Sequence, residues 1–485
     1  TTATHNGNSR NFWYFATPIT EQNFVLQPDG SNQGDDWKDE WNDAELGIKP
    51  IDVYVERLAA KVEVVFPTMT YTLSSDGYYE TFIKTHDKTN PVDSIFSING
   101  MDDCKIKIRI YGWGLNGQAK SVKYMKTVNE GQTPFITSDG WDFNGTNRCY
   151  WAKTPKYNSG DYPNDFNSVK NKTGIGGVGN YTDDLANSES LKYISWNTVK
   201  NNKFKDKNTA YVMPHTEAGE QINLAGEVRH SAVTEVLLAA QIMVTDADGN
   251  VLKDNDGKEK GLELFEISGT LYTLEGVKNY VLHSAGSHLW KEKDVKYFDA
   301  EGNELSEYVE GCKKVIYSVE TIKAEDINII YDYDGAFKFQ LTEEAYNTPW
   351  YRSYEEVKDD NGNLVTIEMK QQYLTQMSVQ DEVNSYLPAK QTWAYKDGMM
   401  YYNIPIRHLR PLPADNASDK SILSGMYGVV RNHWYQVTIG NVTNLGHAVY
   451  RPSEHIIPPS DATRYMIGSK INILSWRMVS QTAEL

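Results

Sequence analysis

The sequence predicts an all-β protein, and three observations carry that expectation. First, apolar and polar residues alternate. In "IDVYVERLAAKVEVVFP", Leu58, Ala60, Val62, Val64 and Phe66 take one phase, and Ala59, Lys61, Glu63 and Val65 take the other. A period of two is the signature of a half-buried strand, here closed by Pro67. Second, Asp-Gly and Asn-Gly pairs punctuate the alternating runs, as hairpin turns do. Third, aromatic residues make up 12% of the chain, with 32 Tyr and 12 Trp, and these side chains suit half-buried strands and binding surfaces.

Further strands follow in order. "CKIKIRIYGWGL" sets Ile106, Ile108 and Ile110 against Lys105, Lys107 and Arg109. "AVTEVLLAAQIMVTDADGN" is a long apolar run ending in an Asp248-Gly249 turn. "EDINIIYDYDGAFKFQL" places Asp334-Gly335 between two alternating runs, and further hairpins are expected at Asn361-Gly362 and Asp397-Gly398. "NHWYQVTIGNV" alternates Tyr435, Val437 and Ile439 against Trp434, Gln436 and Thr438. Between roughly 112 and 210 the abundance of Asn, Gly, Ser, Thr and Tyr reads as long surface loops with short strands. Long amphipathic helices are few; "TEEAYNTPWYRSYEEVKDD" holds one or two short ones, broken at Pro349. No repeat of solenoid or propeller period is present. Many short strands with frequent turns make an antiparallel β-sandwich with long loop insertions.

The bulk numbers exclude several classes. At 485 residues the chain can bury a large core. With 40% hydrophobic and 23% charged residues it is globular rather than disordered. A net charge of −17 repels phosphate backbones, and no basic cluster reverses it, so nucleic acid is not an expected partner. No apolar run approaches the length of a membrane span. The opening "TTATHNGNSR" lacks an initiator Met and a signal-like apolar core, as a processed or trimmed protein would. Cys104, Cys149 and Cys312 form no C-x-x-C and no disulfide framework; structural thiols, with at most one bridge, are the default.

Motifs for chemistry are missing, so no enzyme activity, no cofactor and no metal are expected. The ten histidines show no H-E-x-x-H or other compact ligand spacing. "TDADGNVLKDNDGKEKGLE" resembles a calcium loop only superficially. With Gly249 at loop position 6 the first ligand is Val244 and the last Asn255; with Gly257 there, the first is Leu252. Either register lacks the carboxylate the ion needs, so acidic turns explain these residues better. "TGIGGVGNYT" has no G-K-[ST] ending and reads as a loop, not a phosphate cradle. No G-x-S-x-G elbow supports a hydrolase. Exposed Trp and Tyr leave one alternative function open, a surface glycan-binding β-sandwich.

The sharpest feature is the C-terminal "KINILSWRMVSQTAEL". It follows "HAVYRPSEHIIPPSDATRY", a proline-punctuated stretch that suits a stiff, extended connector rather than a helix or central strand. Ile471 and Ile473 point one way and Leu474, Trp476 and Met478 the other, with Val479 following. A bulge, or two short strands in succession, would give that change of phase. Burying five such side chains is worth roughly 8–15 kcal/mol gross, and a free apolar edge invites aggregation. The strand must therefore dock, either in its own sheet or in a neighbour's by strand addition.

Several segments together resemble a known family. They are "YVERLAAKVEV", "IRIYGWGLNGQAKSVKYMK", "YVMPHTEAG", "TEVLLAAQIMV", "DGMMYYNIPIRHL", "GVVRNHWYQVTIGNVTNLG" and "INILSWRMVSQTAEL". In this order they resemble the fimbrillins of Bacteroidales, the type V pilin shaft subunits, and most closely the short (minor) fimbria branch. The resemblance implies a Greek-key, transthyretin-like sandwich exported as a lipoprotein. An arginine-specific protease would remove an N-terminal strand, opening a groove that another subunit's C-terminal strand fills. The partners implied are other copies of the chain or related fimbrillins, with host or bacterial surface ligands, on a fimbrium at the outer membrane.

Carried onto this sequence, residues 1–54 are the remnant of a preceding β-domain, 55–450 the fimbrillin C-terminal-type sandwich, and 451–485 the linker and donor strand. Ile471, Ile473, Leu474, Trp476, Met478 and Val479 are the polymerisation residues that the resemblance implies. Family members carry a whole β-domain before the "YVERLAAKV" strand, where this sequence has 54 residues.

Overall fold

The computed structural model describes residues 58–85, 87, 90–98, 101–120, 191–204, 208–216, 234–246, 248–253, 257, 259, 261–331, 336–388, 392–407, 428–431, 433–456, 469–475 and 477–483. Along these, the strands of three residues or more are β1 (Ala60–Val65), β2 (Tyr79–Phe82), β3 (Ile95–Ile98), β4 (Met101–Asn116), β5 (Thr209–Val212) and β6 (Glu235–Thr245). There follow β7 (Leu264–Ile267), β8 (Thr270–Tyr272), β9 (Trp290–Phe298), β10 (Lys313–Thr321), β11 (Ile327–Tyr331), β12 (Phe337–Leu341), β13 (Tyr351–Lys358) and β14 (Leu364–Gln372). The chain closes with β15 (Thr392–Tyr395), β16 (Met399–Pro405), β17 (His433–Ile439), β18 (Ser469–Ser475) and β19 (Arg477–Ala483). The helices are α1 (Trp196–Asn201), α2 (Leu274–Ala285), α3 (Glu343–Asn347) and α4 (Gln376–Ser385).

Two sheets form a sandwich, as expected of an all-β chain. One has five strands in the order β18-β19-β17-β1-β5. The other is built on β2, β4, β6 and β16 in sequence, with β3 pairing β4. Their inner faces share one apolar cluster: Val62, Val64, Tyr435, Val437 and Ile439 from the first sheet meet Ile106, Ile108, Ile110, Leu238, Ile242 and Tyr402 from the second. Alternation decides which residues enter. β1 and β17 bury every second residue, and Ile106, Ile108 and Ile110 are 0% exposed. Leu58 departs from the pattern; it lies before β1 begins and is exposed.

The unbroken apolar run of β6 has a different cause. It lies between β4 and β16 with both faces covered. Leu238, Ala240 and Ile242 face the sandwich core, while Leu237 and Ala239 pack with Trp196 and Val199 of α1.

A second core occupies residues 265–394. Val277 and Val281 of α2, Val379 and Val383 of α4, Phe337, Phe339, Leu341 and Trp350 pack together there. β9 pairs β10 and β13 pairs β14, forming two long hairpins. The β11–β12 hairpin brackets Asp334-Gly335 as expected, although those two residues lie outside the described residues. The expected hairpin at Asp397-Gly398 is not formed. Both residues have left-handed backbone, φ 52° and 71°, but β15 pairs β7 while β16 pairs β6. The turn hands the chain from one sheet to another, because each flanking strand has a better-buried partner elsewhere.

Of the helices, α3 falls within the stretch expected to be helical, and β13 replaces a second one there. The helices α2 and α4 were not foreseen. Each starts at a threonine whose hydroxyl accepts from the backbone: Thr273 from Gly276 at 3.1 Å and Thr375 from Ser378 at 3.2 Å.

Candidate functional site

The candidate site is the edge of the five-stranded sheet where the chain ends. Its foundation is β17, whose alternation buries Tyr435, Val437 and Ile439 in the core and leaves Trp434, Gln436 and Thr438 on the outer face. On one side β17 runs parallel to β1, from Lys61↔Trp434 to Val65↔Thr438. The outer face is tied across that pair. Lys61 Nζ lies 3.8 Å from the centroid of the Trp434 ring, and Gln436 Nε2 donates to Glu63 Oε2 at 3.2 Å.

On its other side β17 runs parallel to β19, in register from Trp434↔Met478 through Tyr435↔Val479 to Ile439↔Ala483. β18 and β19 form an antiparallel hairpin whose register shifts between Ile473 and Leu474. The change of phase read from the sequence is therefore a pair of short strands with an irregularity at that point. The hairpin pairs Ile471 with Gln481, Ile473 with Val479 and Leu474 with Arg477. Ile471, Ile473 and Leu474 thus lie on β18, and Met478 and Val479 on β19, beside β17. Trp476 lies outside the described residues. In this structure the terminal strands complete their own chain's sheet.

The path into that hairpin is held by tyrosines. After β17, the phenols of Tyr71, Tyr402 and Tyr395 donate to the carbonyls of Gly440, Asn444 and Gly446 at 2.5, 2.9 and 3.2 Å. Burial pushes the Tyr71 and Tyr402 hydroxyls well above the usual phenol range, so they stay protonated donors. Gly446 has no room for a side chain, since a Cβ there would sit 2.4 Å from the Tyr401 carbonyl oxygen. The first part of the expected connector packs against the sandwich, with Ile456 in the cluster around Trp196 and its amide donating to Ile194 at 2.9 Å. Residues 457–468 lie outside the described residues.

At the opposite edge, β5 pairs only β1 among the described strands, and Tyr211 and Met213 are exposed beside it. Next to that edge is a cavity of about 250 Å³ lined by residues of β4, α1 and β5 and of the segments that flank them, including Gln118, Lys192 and Asn202. Sequence reasoning did not single out this cavity. The Gly112 and Gly114 alternation in "GWG" marks instead where α1 and Ile194 approach β4 closely.

The remaining motifs resolve into structure. No group of three or more potential metal ligands occurs among the described residues. The calcium-like "DADGN" is a tight turn: both carboxylate oxygens of Asp246 accept from Asn250, its amide N–H at 2.8 Å and its side chain at 3.1 Å. The same D-x-x-G-N turn recurs at Asp299–Asn303 and Asp359–Asn363, with the glycine at φ 88°, 89° and 83° in the three turns. His215 and His433 are buried, with Nδ1 beside the carbonyls of Gly117 and Arg431. The "TGIGGVGNYT" stretch lies outside the described residues, as does Cys149; Cys312 is a free, partly buried thiol.

Comparison with known proteins places this edge in a family context. Residues 393–482 match the family model for the major fimbrial subunit protein type IV, fimbrillin, C-terminal region. The match runs from β15 through β17 into the terminal hairpin. It supports a relationship of this region to the fimbrillins and, through it, a role as a fimbrial subunit. No curated protein matches the chain.

Proposed function

We propose that the chain is a structural subunit of a cell-surface fimbria that polymerises head to tail by donating its C-terminal strand to the next subunit. The observation that carries this reading is the fimbrillin match over residues 393–482, which takes in both β17 and the terminal hairpin. The physical argument runs through β17. When β18 and β19 leave, the β17 edge presents a row of unpaired backbone groups beside an intact core, and such an edge accepts an equivalent strand from another copy. Ile471, Ile473, Leu474, Trp476, Met478 and Val479 supply the apolar side chains of the donated segment. A contact of this kind is heterologous and does not close, so repetition gives a filament. Adhesion to host or bacterial surfaces and outer-membrane anchoring of the precursor belong to the same reading.

The test is deletion of residues 464–485 in a precursor matured with its protease, followed by electron microscopy and size exclusion. The intact protein is expected to form filaments and the truncated one to remain a folded monomer. Two identical folded monomers would overturn the proposal. Unfolding of the truncated protein would also overturn it, by assigning the strand to its own sheet alone.

A further inference from the structure

The cavity beside β5 is walled by residues of β4, α1 and β5 and of the segments that flank them. A Cβ on Gly114 would lie 2.6 Å from Ile194 Cδ1, so the glycine admits the Ile194 side chain, which forms part of the cavity wall. The lining is chemically mixed. Asn202, Gln118 and Thr198 bring two amides and a hydroxyl, and Tyr211, a residue 65% exposed, brings an aromatic ring. Gln118 spends its Nε2 on the Leu115 carbonyl at 2.7 Å, which leaves its Oε1 as an acceptor. Lys192 is the charged residue of the lining, and no carboxylate is among the lining residues, in a chain whose net charge is −17.

These features narrow the occupant. Amides that both donate and accept suit hydroxyl-rich ligands. An exposed aromatic face suits an apolar C–H surface. Sites for drug-sized molecules run about 300–1,000 Å³, and about 250 Å³ limits the occupant to one ring with its substituents. A nucleotide would bring phosphates that a single lysine does not balance. A peptide side chain would not use so many amide groups.

We propose that this cavity binds a single terminal pyranose of a glycan, with Tyr211 against the C–H face of the ring and Asn202, Thr198 and Gln118 facing its hydroxyls. Lys192 at the rim selects sugars that carry a carboxylate. This activity is separate from the fimbrial reading and stands at the opposite edge of the sheet from the terminal hairpin.

The experiment uses the full chain and four probes: the methyl glycosides of N-acetylneuraminic acid, glucuronic acid, galactose and N-acetylglucosamine. Binding is read by saturation-transfer NMR and titration calorimetry. Saturable binding of an acidic glycoside is expected, weakened about tenfold or more by Tyr211→Ala and by Asn202→Ala. Lys192→Gln is expected to equalise acidic and neutral sugars. Circular dichroism melts accompany each variant. Should Asn202→Ala disturb the end of α1, Tyr211→Ala, at an exposed position, decides alone. Absence of saturable binding to all four probes, or binding that Tyr211→Ala leaves unchanged, would overturn the proposal. Equal affinity of the unmodified chain for neutral and acidic glycosides would overturn the role of Lys192.

Discussion

Arg109 and Glu259 are joined by a 2.7 Å contact between Nη2 and Oε2, across 150 positions of sequence. The same guanidinium donates through Nε to Glu80 at 2.8 Å and lies over the Tyr78 ring. Burial alone would disfavour the charge on Arg109, but the hydrogen bonds to Glu259 and Glu80 outweigh it. One polar position on β4 thus clamps β2 on one side and the loop after β6 on the other.

Replacing Arg109 with Met should destabilise the fold by about 2–3 kcal/mol, because two carboxylates lose a nearly buried partner. Glu259→Gln should cost under about 1 kcal/mol, since that carboxylate is 42% exposed. Urea unfolding of the two variants gives the comparison. The hydrogen bond from Arg109 holds the Glu259 carboxyl below its usual range. Its contribution is therefore present above the ordinary carboxylate pKa and is lost as pH falls through the lowered one. The Met variant should show a correspondingly flatter acid slope.

His215 gives a second pH signature. Its ring is 1% exposed, and burial lowers its pKa from 6.5 to about 4, against a smaller opposing effect from the Gly117 carbonyl. Between these values the unfolded chain takes up a proton that the folded chain refuses. Stability should therefore fall as pH drops from about 6.5 towards 4, by up to about 1.4 kcal/mol per pH unit. His215→Gln should remove that part of the slope. Denaturant midpoints across this range check it, and an unchanged slope would refute the assignment.

Gly112 should tolerate no side chain. It sits where the β4–β6 register shifts, and an added Cβ would lie 2.4 Å from the Val199 carbonyl oxygen and 2.5 Å from that of Asn202. Those are backbone atoms of α1 and its cap, which cannot rotate away. Gly112→Ala is expected to cost about 1–3 kcal/mol, with a lowered melting temperature as the readout.

The three D-x-x-G-N turns should titrate alike. In each, hydrogen bonds from the asparagine side chain and backbone hold the aspartate below its usual pKa. Asn303→Ala should let Asp299 rise towards the ordinary value while leaving Asp246 and Asp359 in place. Carboxyl carbon NMR titration separates the three.

Much of the sandwich was legible because its signal is local. The alternation of Ile106, Ile108 and Ile110, and that of Tyr435, Val437 and Ile439, follows from strand geometry whatever the partner strand is. Partnership itself is not local. Nothing near Asp397-Gly398 indicates that β15 belongs with β7 and β16 with β6, since that depends on strands more than a hundred residues away. The second core was hidden for the same reason, because Phe337 and Phe339 alternate just as core residues of the sandwich do. The helix α2 did carry a signal, with Val277, Val281 and Ala285 at helical spacing after a Thr273 cap. Gly276 in its first turn, together with Asn279 and Tyr280, diluted it. At the candidate site the apolar terminal segment and β17 were each visible as strands, whereas their pairing was not, because a parallel register leaves no turn between its strands.

The parallel seat of β17 has a consequence for the order of events during synthesis. Its neighbour β1 is the first described strand, and Glu63 waits for Gln436 across 373 positions. Long-range pairings of this kind must close large loops before any contact rewards them. A chain emerging end first from a ribosome or a translocon holds Ala60, Val62 and Val64 without their central partner until nearly all of it has appeared. Completion of the five-stranded sheet is thus a late and concerted step. Until it occurs, β1 presents an unpaired edge of the kind that invites misassembly.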